Sequence, residues 1–480
     1  MARTLIHNGY IVTVNPNRDV WPDGYVAIDG TDIIDLGPAG SAPLPGGFDT
    51  VLDATDAIVL PGLINLHQHH WYALFKGLAD GYLLEDWVDE FLLPLSAHLD
   101  EEAIRIASHV AGLEMLATGT TCSLNHSVTT TTPELVAATI EPQRDLGIRQ
   151  IFAKELRCKT PGNPNHRLDL STALDAFAQL FERWNGDGGG LVGIAMALET
   201  NAHWVAAGMS TEQLVRDGYD LATRLGIKIT THISSGTFAL DKAFLKYLRE
   251  TGRTDVRYLM QLGILDAAWN LIHGIHITDL DIEQIAHTGA NLVYTPSSEA
   301  IRGGGIGPAA NALQAGVNVA LGSDGPMVDY SVDMVEQMKG SVIMQHQRHL
   351  DPTRMAPEQA IEMATINGAK ALGLDHRIGS LEPGKAADIA IFDLRKAHIG
   401  AVHRPISSLV CAARGSDVAA VLVNGKIVFR EGEFAAKSDY ARTISRAEEI
   451  GRAMVAKAGL GNRLSPHWRL AANQVASQAV

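Results

Sequence analysis

Four short segments of this chain end in histidine or aspartate at spacings that could hold a metal ion. The first is Pro61-Gly62-Leu63-Ile64-Asn65-Leu66-His67-Gln68-His69-His70. Alternate residues of an extended strand share a face, so His67 and His69 project together and can chelate one ion. Imidazole nitrogen suits zinc and other divalent first-row metals. The other segments are Ile229-Thr230-Thr231-His232, Leu271-Ile272-His273 and Leu321-Gly322-Ser323-Asp324-Gly325. One histidine at a strand end is ordinarily structural. Four histidines and an aspartate, all closing apolar β-rich runs, make coincidence a poor explanation.

Those runs belong to a longer series. Ala57–Leu66, Gly119–Leu124, Arg149–Leu156, Leu191–Leu198, Ile227–His232, Asn270–His273, Asn291–Thr295 and Val317–Gly322 alternate with helical segments. One helix follows Asp100, an N-cap residue, with Glu101 and Glu102 favouring its first turn. Another starts at Ser210 and stops at Gly226; a third runs from Thr278 to Gly289. Such β/α repeats suit either a (β/α)8 barrel or a doubly wound open sheet. The polar residues at the strand ends favour the barrel, whose active sites lie at that face.

The ends of the chain read differently. Thr4–Ile6, Tyr10–Val14, Tyr25–Asp29 and Asp32–Leu36 are short strands broken by Asn8-Gly9, Pro22-Asp23-Gly24 and Gly30. Ala387–Asp393, Val418–Val423 and Lys426–Arg430 repeat the texture, with Asn424-Gly425 as a type I′ hairpin turn. Neither end is long enough for its own core. The predicted organisation is therefore α/β: a small β-sandwich from residues 1–57 and 381–435, a barrel over 58–380, and a helical tail over 436–480.

With 480 residues, 46% apolar and 19% charged, the chain has the balance of a globular protein. Its net charge of −15 argues against a nucleic-acid partner. No apolar stretch reaches the ~18–20 residues of a membrane span. Cys122, Cys158 and Cys411 lack CxxC spacing, which fits unpaired thiols in a cytoplasmic protein.

Nearly the whole length resembles the amidohydrolase superfamily, specifically its mononuclear deaminase and s-triazine hydrolase branch. Pro61–His69 is similar to the strand-one metal motif, and Gly316–Gly325 to the strand-eight motif. Met363–Gly373 and Gly379–Asp388 are similar to the return from barrel to sandwich, and Gly77–Pro94 to the segment that covers the substrate. The resemblance implies a metal-dependent hydrolase that deaminates a small N-heterocycle (purine, pterin, pyrimidine or s-triazine), and a homo-oligomer. It implies one divalent metal on His67, His69, His232 and Asp324, with zinc expected and iron the alternative. His273 would lie beside the reacting carbon. Such an ion lowers the pKa of a bound water towards ~7. Asp324 could take a proton from that water and return it to the leaving amine, with His273 polarising the tetrahedral centre.

One position departs from the pattern. Most deaminases of this branch carry a glutamate three residues after the strand-five histidine; here Ser235 stands there, and a hydroxyl is no proton shuttle near neutral pH. Glu155, Glu199 and Glu299 are the candidate substitutes, with Glu199 favoured, and a structural carboxylate is the alternative for each. If none serves, dechlorination or ring-amide hydrolysis becomes the second reading, and a non-catalytic binding protein the third. Gln68, Trp71, His126, Glu199, His203, Ser235, Glu299 and Arg302 are the candidate substrate contacts. His70, on the face opposite His67, is expected to be structural. Lys154 lies inside strand three, which excludes it as a bridging metal ligand.

Overall fold

The computed structural model describes residues 2–465, apart from 130, 161–162, 168, 202–203, 206–207, 240–241 and 437–438. Eight parallel strands form one sheet in sequential order. They are β1 (Leu63–Gln68), β2 (Thr120–Ser127), β3 (Arg149–Leu156), β4 (Val192–Leu198), β5 (Ile229–Ile233), β6 (Trp269–His273), β7 (Asn291–Tyr294) and β8 (Asn318–Leu321). The sheet curls until its edges meet just beyond β8. There a bridge joins Gln68 to Asp324, and the Ser323 and Asp324 amides donate to the His67 carbonyl at 3.1 and 3.0 Å. This is the expected barrel, and the open-sheet alternative falls away.

The predicted first strand, Ala57–Leu66, is two strands. Ala57–Pro61 belongs to a separate sheet, and Gly62 marks the passage into β1. A side chain at Gly62 would put its Cβ 2.1 Å from Thr121 Oγ1, so only glycine lets the chain pass so close to β2.

That separate sheet has nine strands drawn from both chain ends. Ala57–Pro61 pairs in parallel with Arg3–Val12 on one side and antiparallel with Ile389–Asp393 on the other. Its core includes Ile6, Val26, Ile28, Val59, Ile389 and Leu422, all buried. Asn8-Gly9 does not break the first strand as expected. Asn8 takes a positive φ of 61°, and the residues form an irregularity inside a strand that runs on to Val12. Asn424 and Gly425, at φ 47° and 71°, make the hairpin turn between Val418–Val423 and Lys426–Arg430.

The helices begin where side chains can satisfy their first amides. Asp100 caps α1 (Glu101–Leu116) through the Ala103 amide. Thr211, one residue past the expected start, caps α2 (Glu212–Leu225), which ends at Gly226 with φ 67°. Thr254 caps α3 (Asp255–Leu262), and Thr278 forms a reciprocal capping box with Asp281 in α4 (Asp279–Thr288). Near the C-terminus α5 (Tyr440–Lys457) buries Ile450, Met454 and Val455 with Phe75 and Phe91 in a cluster beside the barrel mouth. Arg446 Nε donates to Glu102 at 2.8 Å, tying α5 to α1. Residues 466–480 of the expected tail lie outside the described residues. Among the described residues no helix is long and apolar enough to cross a membrane.

Candidate metal centre and active site

Three strand ends bend into the left-handed backbone region without glycine. Ser234 after β5, His273 ending β6 and Asp324 after β8 have φ of 44°, 73° and 66°. Such conformations cost about 1–3 kcal/mol each and persist only where the surroundings enforce them. Here they turn the chain at the barrel mouth, where the titratable residues gather.

His67 is the centre of that gathering. Its ring lies 4.8 Å from that of His69, 5.0 Å from His232 and 5.6 Å from His273, centroid to centroid. Asp324 Oδ1 is 3.4 Å from His67 Nε2 and 3.7 Å from His69 Nε2. Among the described residues neither ring nitrogen of His67 has a hydrogen-bond partner, although the residue is fully buried. An orphaned buried imidazole is costly in a core but is what a metal ligand requires. Candidate ligand atoms of His67, His69 and Asp324 lie within 4.8 Å of one another, as do those of His67, His126 and His232. The donor set therefore fits one divalent cation.

Neighbouring groups decide which nitrogen each ring presents. His69 Nδ1 bonds the His126 carbonyl at 2.7 Å, and His232 Nδ1 lies 2.5 Å from Glu199 Oε1. Both rings thus keep Nε2 for the centre, the usual arrangement by which an outer partner fixes a metal-binding tautomer. His126 Nε2 is turned instead to the same Glu199 oxygen at 3.0 Å. Burial pushes the His67 pKa well below its usual value and that of His69 down to about 3, so both stay neutral. Burial also opposes the charge on Asp324. The Arg302 guanidinium, 3.3 Å from Asp324 Oδ2, and the adjoining histidines override it and hold the carboxyl well below the usual carboxylate range.

A cavity opens over this cluster, with His69, His232, His273, Asp324, Arg302 and Ser235 on its floor and sides. Leu84, Trp87, Val88, Leu92 and Leu93 form an apolar wall, all from the Gly77–Pro94 segment. His273 Nδ1 is 2.8 Å from Thr295 Oγ1 and 3.2 Å from Glu299 Oε1, which leaves its other nitrogen for the cavity.

Other expected contacts stand elsewhere. Gln68 points away, with Nε2 3.2 Å from His70 Nε2 and 2.9 Å from Met115 Sδ, because alternation along β1 turns it opposite to His67. His70 is structural as expected, its Nδ1 3.1 Å from Ser108 Oγ. Trp71 is buried against Tyr72 and Phe75 and does not line the cavity. His126 sits behind His232, ring to ring at 4.5 Å. His203 lies outside the described residues.

The three candidate substitutes for the missing glutamate are all engaged. Glu155 pairs with Arg157 at 2.6 Å, Glu199 with His232 and His126, and Glu299 with Arg302 and His273. None of the three lines the cavity. Sequence reasoning missed Tyr72, Arg157, Trp204, Phe244 and Asp255, which do line it. Tyr72 and Trp204 follow expected site residues by one position, a signal that could have found them; Asp255 reads as an ordinary first-turn helix acid.

Comparison with known proteins identifies the family. The model of the amidohydrolase family matches residues 58–428. A 5-methylthioadenosine/S-adenosylhomocysteine deaminase of Syntrophobacter fumaroxidans is 32% identical over 435 residues, covering 90% of this chain and 93% of its own. The protein of the same name from Moorella thermoacetica is 31% identical, covering 90% and 95%. Among solved structures, a zinc-bound adenosine deaminase from Xanthomonas campestris superposes with a TM-score of 0.84 at 24% identity, covering 94% of this chain and 98% of that one. A zinc complex of atrazine chlorohydrolase from Arthrobacter aurescens gives 0.82 at 21%, covering 93% and 100%.

Proposed function

The chain belongs to the amidohydrolase family, and from that premise we propose that it deaminates purine nucleosides of the 5′-methylthioadenosine type. It is a metal-dependent hydrolase acting on a C–N bond of an aminated N-heterocycle. The observation that carries this reading is the convergence of His69, His232 and Asp324, which line one cavity, around the fully buried His67.

Those four residues would hold the cation, zinc being the expected ion. When bound, it supplies Lewis-acid activation of water at neutral pH. Asp324, kept ionised by Arg302, is the base that takes the proton of the attacking water and returns it to the departing amine. His273, neutral and steadied by Thr295, offers a hydrogen bond to the oxygen that forms on the carbon. The apolar wall excludes water and gives a thioether-bearing nucleoside a surface to cover. The two relatives described above, of similar length, carry that substrate in their names.

The test is ammonia release by the zinc-reconstituted chain from 5′-methylthioadenosine, S-adenosylhomocysteine, adenosine, guanine, cytosine and an aminotriazine. The expected result is the highest kcat/KM on the two thioether nucleosides. Ser235 favours a second reading, in which the leaving group needs no proton. Silence on every amine, with chloride released from a chlorotriazine, would replace the first reading by the second.

A further inference from the structure

Deamination asks more of the site than Asp324 can give. An amine is a poor leaving group on an aromatic ring, and attack at its carbon is easier when the adjacent ring nitrogen is protonated. The position that could supply a carboxyl at the end of β5 holds Ser235, and Glu155, Glu199 and Glu299 are turned to other partners. Besides Asp324, two carboxyls line the cavity: Glu85, from the covering segment, whose Oε1 accepts from the Thr237 amide at 3.3 Å, and Asp255, which alone is bonded to Ser234 at the very end of β5.

Asp255, the first residue of α3, is 1% exposed and lines the cavity together with Ser235, His232 and His273. Its Oδ2 accepts from the Ser234 amide at 2.5 Å, so the carboxyl is pinned to the end of β5 from a different element. Its Oδ1 is buried and has no hydrogen-bond partner among the described residues. The start of α3 is itself anchored: the Thr254 hydroxyl donates to Asp281 Oδ1 at 2.7 Å, and Asp281 is locked in its capping box. The side chain is therefore preorganised, with one oxygen tied and the other uncommitted.

Resting on the deaminase reading above, we propose that Asp255 is the catalytic acid that protonates the ring nitrogen, taking over from another helix the work the missing glutamate would do. Asp255 starts as the neutral acid. Its O–H bond breaks and a ring N–H forms as the water oxygen bonds to the amine-bearing carbon and the water proton passes to Asp324. The carbon now carries hydroxyl and amine. Asp324 returns its proton to the amine, the C–N bond breaks, and the hydroxyl proton goes to Asp255 as the C=O bond forms. Ammonia leaves, the product holds one more ring N–H, and both carboxyls regain their starting states.

The surroundings suit that starting state. Burial pushes the Asp255 pKa up to about 7, and the acidic neighbours Asp281, from α4, and Glu199, just after β4, raise it further against the bonds from Ser234. Tyr247, on the adjoining helix Ala243–Thr251, is the other titratable group coupled to it. Across the cavity stand Glu85, Arg157, His232, His273, Arg302 and Asp324. The active form is the protonated one, so kcat falls as pH rises through about 7.

The test compares wild type, D255N and D255N/S235E as zinc-loaded proteins on 5′-methylthioadenosine. The amide of D255N still accepts from Ser234, so the fold and the metal content should hold. The expected result is a loss of about 10²-fold in kcat, with KM changed less than about threefold. The alkaline limb of the kcat profile disappears. D255N/S235E, which restores a carboxyl at the strand end, recovers about tenfold. D255N keeping at least a third of wild-type kcat would overturn the proposal, as would a loss that leaves the alkaline limb in place and is not rescued by S235E, since that pattern marks a backbone clamp. A wild-type chain that releases no ammonia from any amine overturns the deaminase reading, and the acid assigned to it falls too.

Discussion

Glu199 would matter to the proposed metal centre without touching the cation. Its Oε1 faces His232 Nδ1 and His126 Nε2, and Asn201 Nδ2 donates to its Oε2 at 2.7 Å. Burial opposes its charge, but His232 and His126 outweigh that, and the carboxyl titrates well below the usual range. In return His232 is raised: burial works against its charged form and the Glu199 carboxylate prevails. The ring is thus electron-rich and fixed in one tautomer. Replacing Glu199 by Gln keeps the shape and removes the charge. Zinc affinity measured by competition with a chelator is expected to fall about 10–100-fold, while the unfolding midpoint of the metal-free chain moves little.

At the scale of elements, the decisive place is the seam where β8 returns to β1. A Cβ at Gly322 would lie 2.8 Å from His67 Cβ and 2.9 Å from the His67 nitrogen. Backbone cannot yield as a side-chain tip does, so Gly322→Ala must push Asp324 away from His67. The expected result is a loss of stability of about 1–3 kcal/mol, read from chemical denaturation, together with substoichiometric metal after reconstitution. The strands and their end residues were legible in the sequence because parallel barrel strands are apolar runs and because polar residues closing such runs need a reason. Gly62 was not, since an unbroken apolar run hides a passage between two sheets. Asn8-Gly9 misled because the same dipeptide serves a turn or an irregularity within a strand. Asp255 was invisible for a different reason: an acid after a threonine cap is what any helix start favours, and only the packing of α3 against β5 brings it to the cavity.

On the scale of the whole molecule, the residues proposed to hold the cation come from the two edges of the barrel sheet and from its fifth strand. An ion bound there would tie the first strand to the last. Removing it with a chelator is expected to lower the thermal unfolding midpoint by several degrees, with recovery on adding zinc, since a ligand held a hundredfold above its dissociation constant contributes about 2.7 kcal/mol. A scan that is indifferent to chelation would argue against a site that spans the seam. The nine-stranded sheet has a further consequence, for synthesis. Ala57–Pro61, buried at every residue, finds its antiparallel neighbour only in Ile389–Asp393. While the chain emerges from the ribosome, that edge stays bare until more than 300 further residues have followed. Bare apolar edges of this kind invite pairing between nascent chains, so yield on expression should be limited by chaperone supply rather than by the stability of the finished protein.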